Sequence, residues 1–124
     1  MKNKENLRSD QFELYDLTIR VEKIDGNCTC SMNVGDSFNL RGGKISIPDG
    51  ENFCLYAMQS TFPLLPAKQR KNSSADWMET DSRVICPDPA CKLIMRIDRD
   101  DQRIFNHDDV SAVEIESRGE EESN

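Results

Sequence analysis

The chain has 124 residues, five cysteines and a formal net charge of -7 at pH 7, with 31% charged and 36% hydrophobic residues. This length suits a single domain with a modest core. The acidic balance argues against general affinity for nucleic acid or for anionic membranes, because both attract positive surfaces.

The chain shows no secretory or membrane-spanning pattern. Its charged first ten residues are not followed by an apolar stretch, as a secretory signal would require. No apolar run approaches the roughly 20 residues of a membrane helix. We therefore expect a cytoplasmic protein whose five cysteines are free thiols or metal ligands rather than a disulfide framework.

The first predicted element is a strand from Tyr15 to Glu22, where apolar and polar residues alternate strictly. Residues 1–11 before it are polar and are predicted to be a flexible N-terminus. Turn signals follow at Asp25-Gly26-Asn27 and at Gly35-Asp36. Phe38–Leu40 and Lys44–Ile47 then predict either a short hairpin or one bulged strand, interrupted by two glycines.

A helix is predicted from Asp49 to Phe62, with Asp49 as its N-terminal cap. Residues at helical spacing predict one buried stripe: Cys54, Ala57, Met58, Thr61 and Leu65. Pro63 removes a helical hydrogen bond and should end or kink the helix, so that Leu64–Arg70 forms a separate turn or two.

The remaining chain reads as a loop, a hairpin and an edge strand. Residues 71–82 form the loop, with Trp77 and Met78 pinning it to the core. Arg83–Cys86 and the alternating residues 93–97 form the hairpin, and Val110–Ile115 an edge strand. Residues 12–116 are thus predicted to be one α+β domain, a small antiparallel sheet packed on one main helix, and residues 117–124 a disordered acidic tail.

The cysteines are the main chemical signal, grouped as Cys28-x-Cys30, a single Cys54 and Cys86-x4-Cys91. Four thiolates can hold a zinc ion or an iron–sulfur cluster, although this spacing is not diagnostic. Small buried cysteines in the core explain the same residues. A third interpretation is a reactive thiol, with Cys54 or Cys86 as nucleophile and Asp88, held in a proline-rich turn, as acid. The single histidine, His107, lies in a polar segment and offers no evident base.

A basic patch is predicted at Lys68, Arg70 and Lys71. It could bind a phosphate, a carboxylate or an acidic protein partner. A solvated helix end explains these charges equally well. Apolar residues beside them make the Pro63–Lys71 surface a candidate docking site.

Four motifs occur in one order: Gly26-x-Cys28, Gly35-Asp36-x-Phe38, Cys54-x-x-Ala57 followed by Pro63, and Cys86-Pro87-Asp88-Pro89. Together they resemble a family of small, functionally uncharacterised proteins widespread in anaerobic bacteria and archaea. The resemblance covers about residues 15–98. It implies that Cys28, Cys54 and Cys86 are the family's cysteine positions, with Cys30 and Cys91 as additions. It also implies anaerobic physiology, which favours oxygen-sensitive clusters, but it supplies no reaction.

Three functions follow from the sequence. The first is an accessory protein beside a larger redox enzyme, carrying a metal or iron–sulfur site on Cys28, Cys54 and Cys86 with Cys30 or Cys91. The second is a metal-free protein–protein interaction module that uses the Pro63–Lys71 surface. The third, a small thiol enzyme, is disfavoured because no histidine is paired with a cysteine.

Overall fold

Two long antiparallel strands form the centre of the fold in the computed structural model, which describes residues 7–116. β1 (Gln11–Ile24) and β5 (Leu93–Asn106) pair along their whole length, from Gln11 opposite Asn106 to Ile24 opposite Leu93. The shorter strands β2 (Ser37–Arg41), β3 (Lys44–Ser46) and β4 (Arg83–Ile85) complete an antiparallel sheet of order β3-β2-β1-β5-β4.

One face of the sheet carries the core. Leu17, Ile19 and Val21 are fully buried, which confirms the predicted alternation of β1. Cross-strand neighbours such as Phe38 and Ile97, both opposite Ile19, extend the apolar rows across three strands. The pairing of β1 with β5 shifts between residues 15 and 17, as a β-bulge does, and consecutive residues 16 and 17 are therefore both buried.

The opposite face is charged. Arg20 contacts Asp98 at 3.2 Å, and Arg83 contacts Glu22 at 2.9 Å, each pair bridging two strands. An antiparallel sheet with one apolar and one polar face has one side packed and one side solvated.

The prediction of one main helix at Asp49–Phe62 is wrong. The helices of the described residues are short: α1 (Leu55–Thr61), α2 (Leu65–Lys68), α3 (Trp77–Thr80) and α4 (His107–Val110). Gly50 has a φ of 78°, in the left-handed region, so the chain cannot continue as a right-handed helix from Asp49. Cys54 is the N-cap residue of α1, and Asp49 does not cap it.

The predicted stripe is nevertheless confirmed. Ala57, Thr61 and Leu65 are buried, while Cys54 and Met58 pack against the core. The break at Pro63 separates α1 from α2 as expected. The predicted fold class, a small sheet packed on one main helix, is corrected accordingly: the described chain is mostly a five-stranded antiparallel sheet with several short helices.

The structure confirms one of three smaller predictions and contradicts two. The two glycines at 42 and 43 form the turn of a β2–β3 hairpin, one of the two predicted alternatives. Trp77 is 71% exposed in α3, so it does not pin its loop to the core. Val110–Ile115 is not a strand, because α4 ends at Val110 and irregular chain follows.

The predicted acidic tail and residues 1–6 lie outside the described residues. Between residues 7 and 116, no helix is long and apolar enough to cross a membrane.

Candidate functional site

A cavity of about 410 Å³ lies where β1 ends and β5 begins. All five cysteines line it: Cys28, Cys30, Cys54, Cys86 and Cys91. They come from the loop after β1, the start of α1 and the β4–β5 turn. We call this cavity the thiol pocket. Its lining is completed by Thr29, Tyr56, Ala57, Pro87, Asp88 and Leu93.

Backbone pairing beyond the ends of the two long strands brings Cys28 towards Cys91. The N–H of Gly26 donates to the carbonyl of Cys91 at 3.1 Å, and that of Asn27 donates to Ala90 at 3.0 Å. These bonds continue the β1–β5 pairing into the cysteine-bearing loops. The position of the two thiols is therefore set by strand register.

The β4–β5 turn is held by its own hydrogen bonds. Asp88 Oδ1 accepts the N–H of Ala90 at 3.0 Å, and the Asp88 carbonyl accepts that of Cys91 at 3.1 Å. Cys86 N–H donates to Leu93 at 2.9 Å and closes the turn. Asp88 thus works within its own turn, as expected of an aspartate between two prolines.

Cys30 and Cys54 form the closest pair of thiols, with their Sγ atoms 2.9 Å apart. The N–H of Cys54 also donates to the thioether sulfur of Met32 at 3.3 Å. Met32 is buried and connects the loop after β1 to α1. Met32 was not predicted to belong to the site, although its spacing in Cys28-x-Cys30-x-Met32 was the available signal.

The thiols of Cys30 and Cys54 differ in pKa. Burial raises the pKa of Cys54, but hydrogen bonds from Cys30 and from the backbone N–H groups of Ala57 and Tyr56 outweigh it and lower that pKa. The hydrogen bond with Cys54 raises the pKa of Cys30 to about 11. The two pKa shifts run in opposite directions, so Cys54 loses its proton at a lower pH than Cys30 does.

The other three thiols form a second group. Burial first, and then hydrogen bonds with Cys28 and Cys86, raise the pKa of Cys91 to about 12. Cys86 and Cys91 are only 5% and 2% exposed. These two thiols are protected from solvent, whereas Cys28 is half-buried and Cys30 is exposed.

Backbone strain accompanies the thiols. Ser31, directly after Cys30, has a φ of 61°, and Lys92, directly after Cys91, has a φ of 51°. A residue with a side chain in this region costs on the order of 1 kcal/mol or more, and such strain concentrates at functional sites.

The thiols share a cavity without being arranged as ligands. Across residues 7–116, no three or more His, Cys, Asp or Glu side chains form a group that could hold a metal ion as they stand. In the arrangement described above, the thiols hydrogen-bond to one another instead.

His107 lies far from the thiol pocket. It follows the last residue of β5, and its N–H donates to the Asp10 carbonyl beside the start of β1. The length of β5 puts roughly 40 Å between His107 and the pocket, at about 3.3 Å per residue. The structure therefore does not pair a histidine with any cysteine.

The predicted basic patch is divided. Lys68 is buried, and its ammonium donates to the Met78 carbonyl at 2.7 Å. Burial lowers the pKa of this lysine. Arg70 and Lys71 remain exposed, so two of the three predicted residues face solvent.

A neighbouring ion pair explains how this region is fixed. Arg99 of β5 holds both oxygens of Glu79, at 2.9 and 2.7 Å, and its Nε donates to the Lys68 carbonyl at 2.8 Å. The backbone N–H of Asn72 also donates to Glu79 at 2.7 Å. The cluster attaches α2 and α3 to the sheet.

We expect Glu79→Gln to flatten the acid dependence of stability. The bond from Arg99, and next that from Asn72, lower the pKa of Glu79 from 4.5 to about 2. Because the folded-state pKa is depressed, the stabilisation is complete above pH 4.5 and is lost as the pH falls towards 2. Wild type should exceed the variant by about 2 kcal/mol near neutral pH.

Urea unfolding at intervals from pH 7 to pH 2 measures this difference. The gap between the two proteins should shrink towards zero at the acidic end. Glu51→Gln, at an exposed position, is the control and should track wild type. A gap that stays constant across the range would contradict the assignment.

Comparisons with protein-family models, with curated proteins and with solved structures found no match to this chain. The resemblance to a family of anaerobic bacteria and archaea therefore stays a prediction.

Proposed function

We propose that this protein binds a zinc ion or an iron–sulfur cluster in its thiol pocket and serves as a cytoplasmic accessory protein to a larger redox enzyme. The single observation that carries the proposal is the convergence of five cysteines from three separate segments on one cavity. Thiolates select zinc and iron–sulfur clusters among biological metals, and four of them complete either site.

The interpretation of the cysteines as ordinary core residues accounts for only part of this arrangement. Cys86 and Cys91 belong to the buried core cluster, and Cys28 and Cys54 pack against it. Burial of small sulfur side chains is common. It gives no reason for the exposed Cys30 to point at the same cavity.

For metal binding, the closest pair of thiols must move apart. Two sulfurs on one tetrahedral zinc lie about 3.8 Å apart, given Zn–S bonds of about 2.3 Å. Cys30 and Cys54, at 2.9 Å, must therefore separate by about 0.9 Å. Each Sγ is a single rotatable bond from the backbone, so a change of χ1 supplies such movement.

Anaerobic purification followed by metal and acid-labile sulfide analysis tests the proposal. We expect either zinc without sulfide or iron together with sulfide. In cadmium titrations of the stripped protein, followed by thiolate-to-metal absorption, Cys54→Ser and Cys91→Ser should bind at least about 100-fold more weakly. That loss exceeds the usual effect of an outer-shell residue.

Thr29→Ala is the matched control, since Thr29 lines the cavity between two cysteines without offering a thiol. It should bind cadmium like wild type. A colourless, metal-free and stably folded protein that takes up no cadmium would overturn the proposal.

One observation favours the second candidate function, a metal-free interaction module. An apolar groove of about 240 Å³ runs between the α1–α2 junction and the β2–β3 hairpin, lined in part by Phe62, Pro66 and Ile45. Phe62 and Ile45 are 40% and 45% exposed. Because β3 is an edge strand, it can pair with an extended segment of a partner. A protein that stays metal-free in the experiment above would leave this function as the stronger one.

A further inference from the structure

We propose that Cys30 and Cys54 are a redox-active dithiol that exchanges with low-molecular-weight disulfides. The inference goes beyond the proposed metal function and does not depend on it. Its basis is the 2.9 Å separation of the two sulfurs and the exposure of Cys30.

The distance between the two sulfurs lies between that of a disulfide bond and that of two thiolates on one zinc ion. A disulfide bond is about 2.05 Å long, so the sulfurs need to approach by about 0.9 Å to become oxidised. Metal binding requires a similar displacement in the opposite direction. Closing the bond joins residues 24 positions apart, in the loop after β1 and at the N-cap of α1.

Access excludes two of the five thiols, Cys86 and Cys91, from this exchange. Thiol–disulfide exchange needs a thiolate to reach the sulfur of the incoming disulfide. Cys86 and Cys91 are 5% and 2% exposed, which shields their sulfurs from an external molecule. Cys30 is exposed, and Cys28 and Cys54 are both half-buried. The 2.9 Å contact between the Sγ atoms of Cys30 and Cys54 then selects Cys54 as the partner of Cys30.

The exchange has two steps. One thiolate of the pair attacks a sulfur of the external disulfide, forming a mixed disulfide and releasing one external thiolate. The second protein thiol loses its proton to water and attacks the protein sulfur of that mixed disulfide, which releases the second external thiolate. The two protein sulfurs are oxidised by two electrons in total, and the external disulfide is reduced to two thiols.

The test uses the full chain, reduced and stripped of metal with a chelator. It is incubated without oxygen in mixtures of oxidised and reduced glutathione, quenched with acid and alkylated. Intact mass and peptide mapping should show one intramolecular disulfide that joins Cys30 to Cys54. Wild type should hold little mixed disulfide, because the second thiol is present at a high effective concentration.

Two variants remove the second step. Cys30→Ser and Cys54→Ser should each lose the intramolecular disulfide and accumulate at least about tenfold more glutathione adduct than wild type. Thr29→Ala, next to Cys30 in the same lining but without a thiol, is the matched control and should still form the disulfide. Circular dichroism and the urea midpoint establish that each variant is folded.

A major disulfide at Cys86–Cys91 or Cys28–Cys91, or a wild-type protein that stays reduced in the most oxidising mixture, would overturn the inference. Formation of another intramolecular disulfide in a folded Cys30→Ser variant, to the same extent as in wild type, would also overturn it. Because the assay contains no metal, a failure of cadmium binding leaves the result unaffected. Metal uptake without disulfide formation would contradict this inference alone.

Discussion

Replacing Gly26 with alanine is expected to unfold the cysteine-bearing end of the sheet. A Cβ atom on Gly26 would lie 2.1 Å from the Ala90 carbonyl oxygen and 2.7 Å from that of Cys91. Both contacts are with backbone atoms, so no side chain can rotate away. The loop after β1 must then separate from the β4–β5 turn and break the hydrogen bond from Gly26 to Cys91.

The cost should be about 2 to 4 kcal/mol, from steric strain and lost backbone hydrogen bonds. Urea unfolding monitored by circular dichroism measures it. The displaced turn carries Cys86 and Cys91 away from Cys28, so cadmium binding should weaken together with stability.

Gly43→Ala is the matched control. A Cβ at Gly43 meets nothing within 4 Å, and its φ is not in the left-handed region. Its unfolding midpoint and cadmium binding should remain close to wild type. Equal stability of the two variants would contradict the close approach at Gly26.

Phe38→Ala is expected to produce the largest loss of stability from a single side chain. Phe38 is completely buried in β2, opposite Ile19 of β1, and packs edge-on against Phe53 with ring centroids 4.9 Å apart. Removing the ring leaves a cavity and forfeits its burial, at about 3 to 5 kcal/mol. In a domain of this size, such a loss is a large fraction of total stability.

The measurement is again urea unfolding, with wild type and variant compared at their midpoints. Phe62→Ala makes the same chemical change at a site that is 40% exposed. It should cost less than half as much as Phe38→Ala, because much of the Phe62 ring is already in water. A similar cost at both positions would mean that the core is not centred on β2 and β1.

The strands were predictable where alternation holds and unpredictable where pairing overrides it. Residues 15–22 alternate, and the buried face of β1 follows from that pattern. Residues 99–106 of β5 are mostly polar, and the sequence analysis did not make them a strand. They are extended because they pair with residues 11–17 of β1. Tertiary pairing decides such segments, and local composition does not report it.

In the helical region, the sequence predicted the buried face correctly but not the length of the helix. Its periodicity correctly gave the buried stripe through Ala57, Thr61 and Leu65. Its length was overestimated, because the left-handed Gly50 and the extended Cys54 delay the start of the helix to Leu55. A glycine in a polar segment does not reveal the sign of its φ.

The residues of the site could be predicted from the sequence, but their arrangement in space could not. The three cysteine groups could be named from the sequence. Their convergence depends on Ile24 lying opposite Leu93, a pairing between distant parts of the chain. A shift of one residue in that register would turn each side chain to the other face of the sheet. Lys68 is likewise held by contacts that its own segment does not reveal, with Met78 ten residues away and Arg99 31 residues away.

The pairing of β1 with β5 also determines when the protein can complete its fold during synthesis. Gln11 and Asn106, which hydrogen-bond across these strands, are 95 residues apart. During synthesis at about 5 to 20 residues per second, β1 waits on the order of several seconds for its partner to emerge. Cys28 and Cys30 emerge well before Cys91, so a nascent chain exposes unassembled thiols and the apolar face of β1 together. This topology therefore imposes an order on folding: the apolar face of β1 and the first two cysteines stay without their β5 partners until that strand has been synthesised.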